Sequence, residues 1–162
     1  VSRRKRSSGL GVLSAVGVGT YMALHVHLGG FHLDSVKAPT HAARVAVRYA
    51  EARIGLPYQW GGTGPDGFDC SGLTSMAWKH AGVTIPRTSQ EQWAGLRHVS
   101  KPAPGDLVFS YWTDPADPAS PNHVQIYAGH GDVIGADTTD VERVPLSTDA
   151  GHIVGYANPT AR

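Results

Sequence analysis

Apolar positions follow a helical period in the first half of the chain and a strand period in the second. Ala43, Val47, Ala50 and Ile54 recur at i, i+4, i+7 and i+11 behind Thr40, whose hydroxyl suits an N-cap, and Gly55 closes the run. This predicts a helix through Ile54. Leu73, Met76, Ala77 and Ala81 have the same spacing and predict a helix from Cys70 to Ala81, stopped at Gly82, with that face toward a sheet. Residues 88–95 read as a short third helix. Short apolar segments follow at Leu107–Trp112, His123–Ala128, Asp132–Ala136, Val141–Pro145 and Ile153–Ala157, and these read as strands. Helices first and a run of strands later give an α+β class, the helices packed on an antiparallel β-sheet.

Other stretches fit neither period. Residues 113–121 hold three prolines, which remove ladder donors and fix φ, so they predict an exposed loop ahead of His123. Residues 29–40 read as a linker. Before it, Arg3, Arg4, Lys5 and Arg6 precede 19 uncharged residues from Leu10 to Leu28. Basic residues ahead of an apolar stretch are the pattern of a signal or membrane anchor, although its glycines and two histidines make it a poor span. Residues 1–36 are therefore expected to be an N-terminal segment and linker, and 37–162 the folded domain. The expectation is an exported protein, secreted or tethered to the outer face of the cytoplasmic membrane.

Charge narrows the partners. The formal net charge is +1, but from Lys37 onward 10 basic residues face 12 acidic ones. A slightly acidic folded part argues against nucleic acid as a partner. A monomer is the expectation. His25 and His27 alone do not make a metal site, and no ligand spacing occurs elsewhere.

Chemistry concentrates at the only cysteine. Cys70 lies in Phe68-Asp69-Cys70-Ser71-Gly72-Leu73, where a glycine-rich loop gives way to the second helical run. A free thiol, with a pKa of about 8.5, is mostly protonated near neutrality, and helix N-terminal amides or a nearby imidazole lower that value. His123, which opens the strand-like run Asn122-His123-Val124-Gln125-Ile126-Tyr127, would be the imidazole. A small buried cysteine on a core helix beside an ordinary strand histidine fits the same two residues.

Four further blocks frame them: Gly55-Leu56-Pro57-Tyr58-Gln59-Trp60-Gly61-Gly62, Ile85-Pro86-Arg87-Thr88-Ser89-Gln90-Glu91-Gln92-Trp93, Pro104-Gly105-Asp106-Leu107-Val108-Phe109, and the His123 segment itself. In this order they resemble the NlpC family of bacterial cell-wall peptidases, over residues 41–157. The resemblance implies a reduced papain-like fold with Cys70 as nucleophile and His123 as general base. It also implies that the Tyr58 hydroxyl joins the Cys70 N–H as oxyanion donor. Arg87 and Ser89 match a family block that borders the substrate groove, although a structural role fits them equally. Trp60 reads as groove wall or core. The implied substrate is the peptidoglycan stem peptide, cut between γ-D-glutamate and a diamino acid, with no metal or organic cofactor.

One position departs from the family. Relatives usually carry a histidine about twelve residues after the base, where it orients the imidazole, and here that position is Gly135. Asp137 falls on the same strand face two residues on. Gln125 shares the face of His123 and stands where relatives usually have glycine. If 123–128 and 132–137 form a hairpin, all four positions share one face, and a histidine at 135 is tolerated if that face has room. Two rivals stay open: a non-catalytic peptidoglycan-binding module with a degraded triad, and a papain-like amidase or acyltransferase on another acyl substrate.

Overall fold

A computed structural model describes residues 40–111 and 120–161. The basic and apolar N-terminal segment, the linker before Thr40, Trp112 and most of the 113–121 loop lie outside the described residues. None of the described helices is long and apolar enough to cross a membrane.

Three helices, α1 (His41–Glu51), α2 (Cys70–His80) and α3 (Ser89–Gly95), precede the main strands β1 (Arg97–Val99), β2 (Leu107–Ser110), β3 (His123–Gly129), β4 (Asp132–Ala136), β5 (Val141–Pro145) and β6 (Ile153–Asn158). The strands form one sheet in the order β1-β6-β2-β3-β4-β5, antiparallel at every pairing. The fold class is as expected, α+β with helices on an antiparallel sheet. Two details differ. Helix α1 stops at Glu51, because the chain must turn so that Gly55 N–H reaches Val141 O, and Ile54 is left 47% exposed. Strand β1 has no apolar run to announce it, being a three-residue, mostly exposed edge that pairs only with β6.

Side-chain alternation gives the sheet two buried faces. Leu107, Phe109, Val124, Ile126, Ile134, Ala136 and Ala157 pack under Ala43, Ala46, Val47 and Ala50 of α1 and Leu73, Ala77 and Trp78 of α2. Met76 and Ala81, expected on that helix face, are only partly buried, whereas Trp78 is fully buried. The opposite face carries Val108, Gln125 and Val133, all buried. The chain then passes from the edge strand β5 to the inner strand β6. It leaves with Leu146 N–H on Gly131 O and arrives with His152 O accepting from Tyr111 N–H. A 3-10 turn, Leu146–Asp149, lies on the way.

The helix carrying the cysteine is fixed at its start. A Cβ on Gly72 would run into the Gly62 carbonyl oxygen and come within 2.8 Å of Asp69 Oδ1, so the Gly61–Gly62 loop docks against α2 only where the side chain is absent. We expect Gly72→Ala to lower unfolding stability by at least about 2 kcal/mol, read by denaturant titration, because backbone rather than a flexible side chain must move. A variant as stable as the parent would show that the loop docks elsewhere.

Candidate active site

Cys70 is the first residue of α2, and the residue before it builds the site. Asp69 caps the helix, its Oδ1 accepting from Gly72 N–H at 2.6 Å, while Oδ2 accepts from Gly61 N–H at 2.9 Å. Arg87 closes on the same carboxylate as a fork, with Nη1 to Oδ1 at 3.0 Å and Nη2 to Oδ2 at 2.6 Å, and Nη1 also donates to Ser71 Oγ at 2.9 Å. Two parallel charge-assisted bonds hold a planar guanidinium rigidly. The half-buried Cys70 thiol therefore sits at the positive end of a helix whose first turn is locked.

His123 opens β3 and is 1% exposed. Its Nε2 lies 3.0 Å from Asp137 Oδ1, which leaves Nδ1 for exchange with Cys70. Burial lowers the ring's pKa, but hydrogen bonds to Asp137 and Cys70, with the charges of both, outweigh it and raise the value to about 9. The start of β3 is held from the other side of the cleft: Ser89 Oγ, buried at the N-terminus of α3, donates to Pro121 O at 3.0 Å. Gln92 on the same helix bridges Pro86 O, Ser71 O and Thr74 Oγ1, bracing α3 against the start of α2.

The β3–β4 register pairs Ile126 with Ile134 and Tyr127 with Val133. Carried on, it sets Gln125 opposite Gly135 and His123 opposite Asp137, so the four positions do share one face. The two candidates for the third position part here. Asp137 stands against the ring nitrogen. Gln125 is buried and folds into the space a side chain at 135 would take, its Cγ 2.6 Å from where a Cβ would be. Gln125 Oε1 has no hydrogen-bond partner among the described residues. The strand face has no room for a histidine at 135 while Gln125 is present.

Tyr58 reaches the site from the 55–68 loop, which is stitched to the turn after β4. Tyr58 N–H donates to Thr139 O at 2.8 Å, and Val141 N–H donates to Leu56 O at 2.8 Å. Burial, then the nearby Cys70 and Asp69 charges, raises Tyr58 above its ordinary value, so the phenol keeps the proton an oxyanion donor needs. A cleft of about 570 Å³ joins these parts, lined among others by Tyr58, Trp60, Cys70, Arg87, Ser89 and His123. Trp60 is 88% exposed on its rim. Arg87 borders the cleft with its fork already engaged by Asp69, and Ser89 borders it with its hydroxyl turned to Pro121. Among the described residues no group of three or more His, Cys, Asp or Glu side chains forms a metal cage.

From sequence, Asp69 is only part of the helix start, and nothing there shows its fork with Arg87. The Thr88-x-x-Glu91 capping box was the available signal for how α3 begins. Nothing in the sequence marks Gln92 as buried.

A model of the NlpC/P60 family matches residues 55–152. A probable endopeptidase of Corynebacterium glutamicum is 45% identical over 112 residues, 64% of this chain and 50% of its own length. A gamma-D-glutamyl-L-lysine dipeptidyl-peptidase of Bacillus cereus is 38% identical over 136 residues, 80% of this chain and 39% of its own length. The chain thus spans half or less of these curated relatives. Among solved structures, the peptidoglycan hydrolase RipB of Mycobacterium tuberculosis aligns with a TM-score of 0.63 at 31% identity, covering 75% of this chain and 66% of that one.

Two outcomes follow from the geometry around His123. Its raised pKa means the imidazolium adds stability below the ordinary 6.5 and loses it as pH rises through about 9. In Asp137→Asn that window should shrink and move to lower pH, since burial then meets less opposition. Thermal melting across this range checks it, and an unmoved window would detach Asp137 from the ring. Gly135→His should be destabilising alone and recover stability in combination with Gln125→Gly. Equal stability of the single and double variants would mean that Gln125 does not fill that space.

Proposed function

The chain belongs to the NlpC/P60 family, and from that premise we propose that it is a cysteine endopeptidase that cuts peptidoglycan stem peptides. The observation that carries this is the thiol at the start of α2 beside a buried imidazole whose Nε2 lies 3.0 Å from Asp137 Oδ1, in an open cleft. In this reading the Cys70 thiolate attacks an amide carbonyl and the Cys70 N–H and Tyr58 hydroxyl take the oxyanion. The His123 imidazolium gives its Nδ1 proton to the leaving amine, and the neutral ring then draws a proton from water as it attacks the thioester. Asp137 holds the ring through Nε2 in the place relatives fill from position 135.

The bond we assign, between γ-D-glutamate and a diamino acid, is supported by the printed activity of the Bacillus cereus relative. Trp60, standing free on the rim, and Arg87 beside it are the proposed contacts to that peptide. The Asp137 contact favours catalysis over a wall-binding module with a degraded triad. Export by the N-terminal basic and apolar segment would deliver the domain to its substrate, secreted or at the outer face of the membrane.

Cys70→Ala and His123→Ala should each abolish release of cleaved stem peptides from purified muropeptides, with folding intact by circular dichroism. The double variant should be no worse than either, because nucleophile and base act as a unit. Tyr58→Phe should lower kcat by about 10²-fold with little change in KM. Full hydrolysis by Cys70→Ala would end the cysteine-peptidase reading.

A further inference from the structure

Strand β5 brings a second carboxyl to the back of the site. The β4–β5 register pairs Gly135 with Glu142 and Ala136 with Val141, and Asp137 N–H donates to Asp140 O at 2.9 Å. Glu142 therefore lies on the His123 face, diagonal to Asp137, across from a residue without a side chain. It is half-buried there, and burial together with the neighbouring Asp137 raises its pKa. Two carboxyl groups in a hydrogen bond share one proton, because two adjacent carboxylates repel. Asp137 already faces the His123 ring through Oδ1, so the proton of the pair belongs on Glu142.

We propose that Glu142 is a positioning residue for the catalytic histidine: its protonated carboxyl donates to the Asp137 carboxylate and holds it against His123 Nε2. This rests on the reading that Asp137 orients the ring. The groups facing Glu142 are His123 from β3 through Asp137, Asp137 at the end of β4, Asp140 in the turn, and Asp149 in the crossover segment. Burial first, then the hydrogen bond to Asp137 and the charges of Asp137, Asp140 and Asp149, keeps the Glu142 proton above the ordinary carboxyl range. The neighbouring Arg143 is engaged elsewhere, with Asp132 at 3.0 Å and Glu51 at 3.2 Å.

The consequence is a pH-sensitive brace. Below the Glu142 titration the Glu142–Asp137–His123 chain is continuous. Above it, Glu142 becomes an anion beside Asp137, the donor is lost, and the two carboxylates push apart. Glutamine keeps a donor of the same shape and cannot ionise.

The test compares the parent with Glu142→Gln, Glu142→Ala and Asp137→Ala, each checked for thermal melting, on muropeptides from about pH 5 to about pH 8. Glu142→Ala should lose about three- to tenfold in kcat at the acid end with little change in KM, and Glu142→Gln should recover most of it. The ratio of kcat for Glu142→Gln to that of the parent should rise by about threefold across the range, as only the parent loses its donor. Parallel pH profiles for the parent and Glu142→Gln would overturn the proposal, as would full activity of Glu142→Ala. If Asp137→Ala also matched the parent, the reading of Asp137 would fail with it. If Asp137→Ala were impaired while both Glu142 variants were not, only the Glu142 proposal would fail. A second readout needs no substrate and no alanine variant of Glu142 or Asp137. In NMR titration of the labelled His123 ring, assigned by loss of its signal in His123→Ala, the parent should show an acid-side inflection that is absent in Glu142→Gln. The same inflection in both would also overturn the proposal.

Discussion

The Asp69 carboxylate is the constraint on which the site depends. One buried group takes the Gly72 and Gly61 amides and both arms of the Arg87 fork. It thereby joins the start of α2, the glycine-rich loop before it and the segment leading into α3. A buried carboxylate is tolerated only when its lone pairs are filled, and here each oxygen has at least two partners. Their loss would release Cys70 from its helix terminus and the Tyr58 loop from Cys70 together. Arg87 is thus half framework and half cleft wall. The family block that contains it serves structure directly.

A second link ties Tyr58, the proposed oxyanion donor, to Asp137, the proposed ring orienter. Tyr58 and Asp137 are far apart in sequence, yet the turn after β4 connects them: Tyr58 N–H ends on Thr139 O, and Asp137 N–H on Asp140 O in the same turn. Ser89 does the equivalent on the opposite wall by holding Pro121, two residues before His123. Tyr58, Asp137 and His123 are therefore placed by segments that backbone hydrogen bonds tie together. Side chains placed only by flexible loops would hold such a constellation less well.

Much of this was legible in the sequence because it rests on local rules. The Thr40 cap, the Asp69–Cys70 helix start and the strands Asp132–Ala136 and Val141–Pro145 follow from capping and periodicity, which act within a few residues. Strand β1 was not legible, since an exposed three-residue edge carries no hydrophobic signal. Ile54 was misplaced for a related reason: its helical spacing from Ala50 is real, but the pairing of Gly55 with Val141 turns the chain first. The roles of Gln92, of Ser89 on Pro121 and of Arg87 on Asp69 depend on contacts 18 to 32 residues apart in sequence. No local pattern encodes those. The face shared by His123, Gln125, Gly135 and Asp137 was legible, because strand alternation is local once a hairpin is assumed.

Placing the proposed orienting residue at 137 instead of 135 changes electrostatics as well as position. Strand alternation makes the move geometrically cheap, since both positions project from one face, and Gln125 fills the volume left at 135. A neutral histidine or amide in that role fixes the ring by hydrogen bonding alone. A carboxylate adds a full charge beside a ring that is 1% exposed, where screening by water is weak. Burial acting alone would drive His123 toward its neutral form. Its pKa of about 9 shows that the two partners win that contest. The exchange therefore favours the imidazolium, the form that pairs with a thiolate and protonates a leaving amine. It disfavours the neutral ring needed to activate water. A hydrogen-bond donor on the far side of Asp137 would temper that bias by drawing charge away from the ring, and β5 places Glu142 where such a donor must stand.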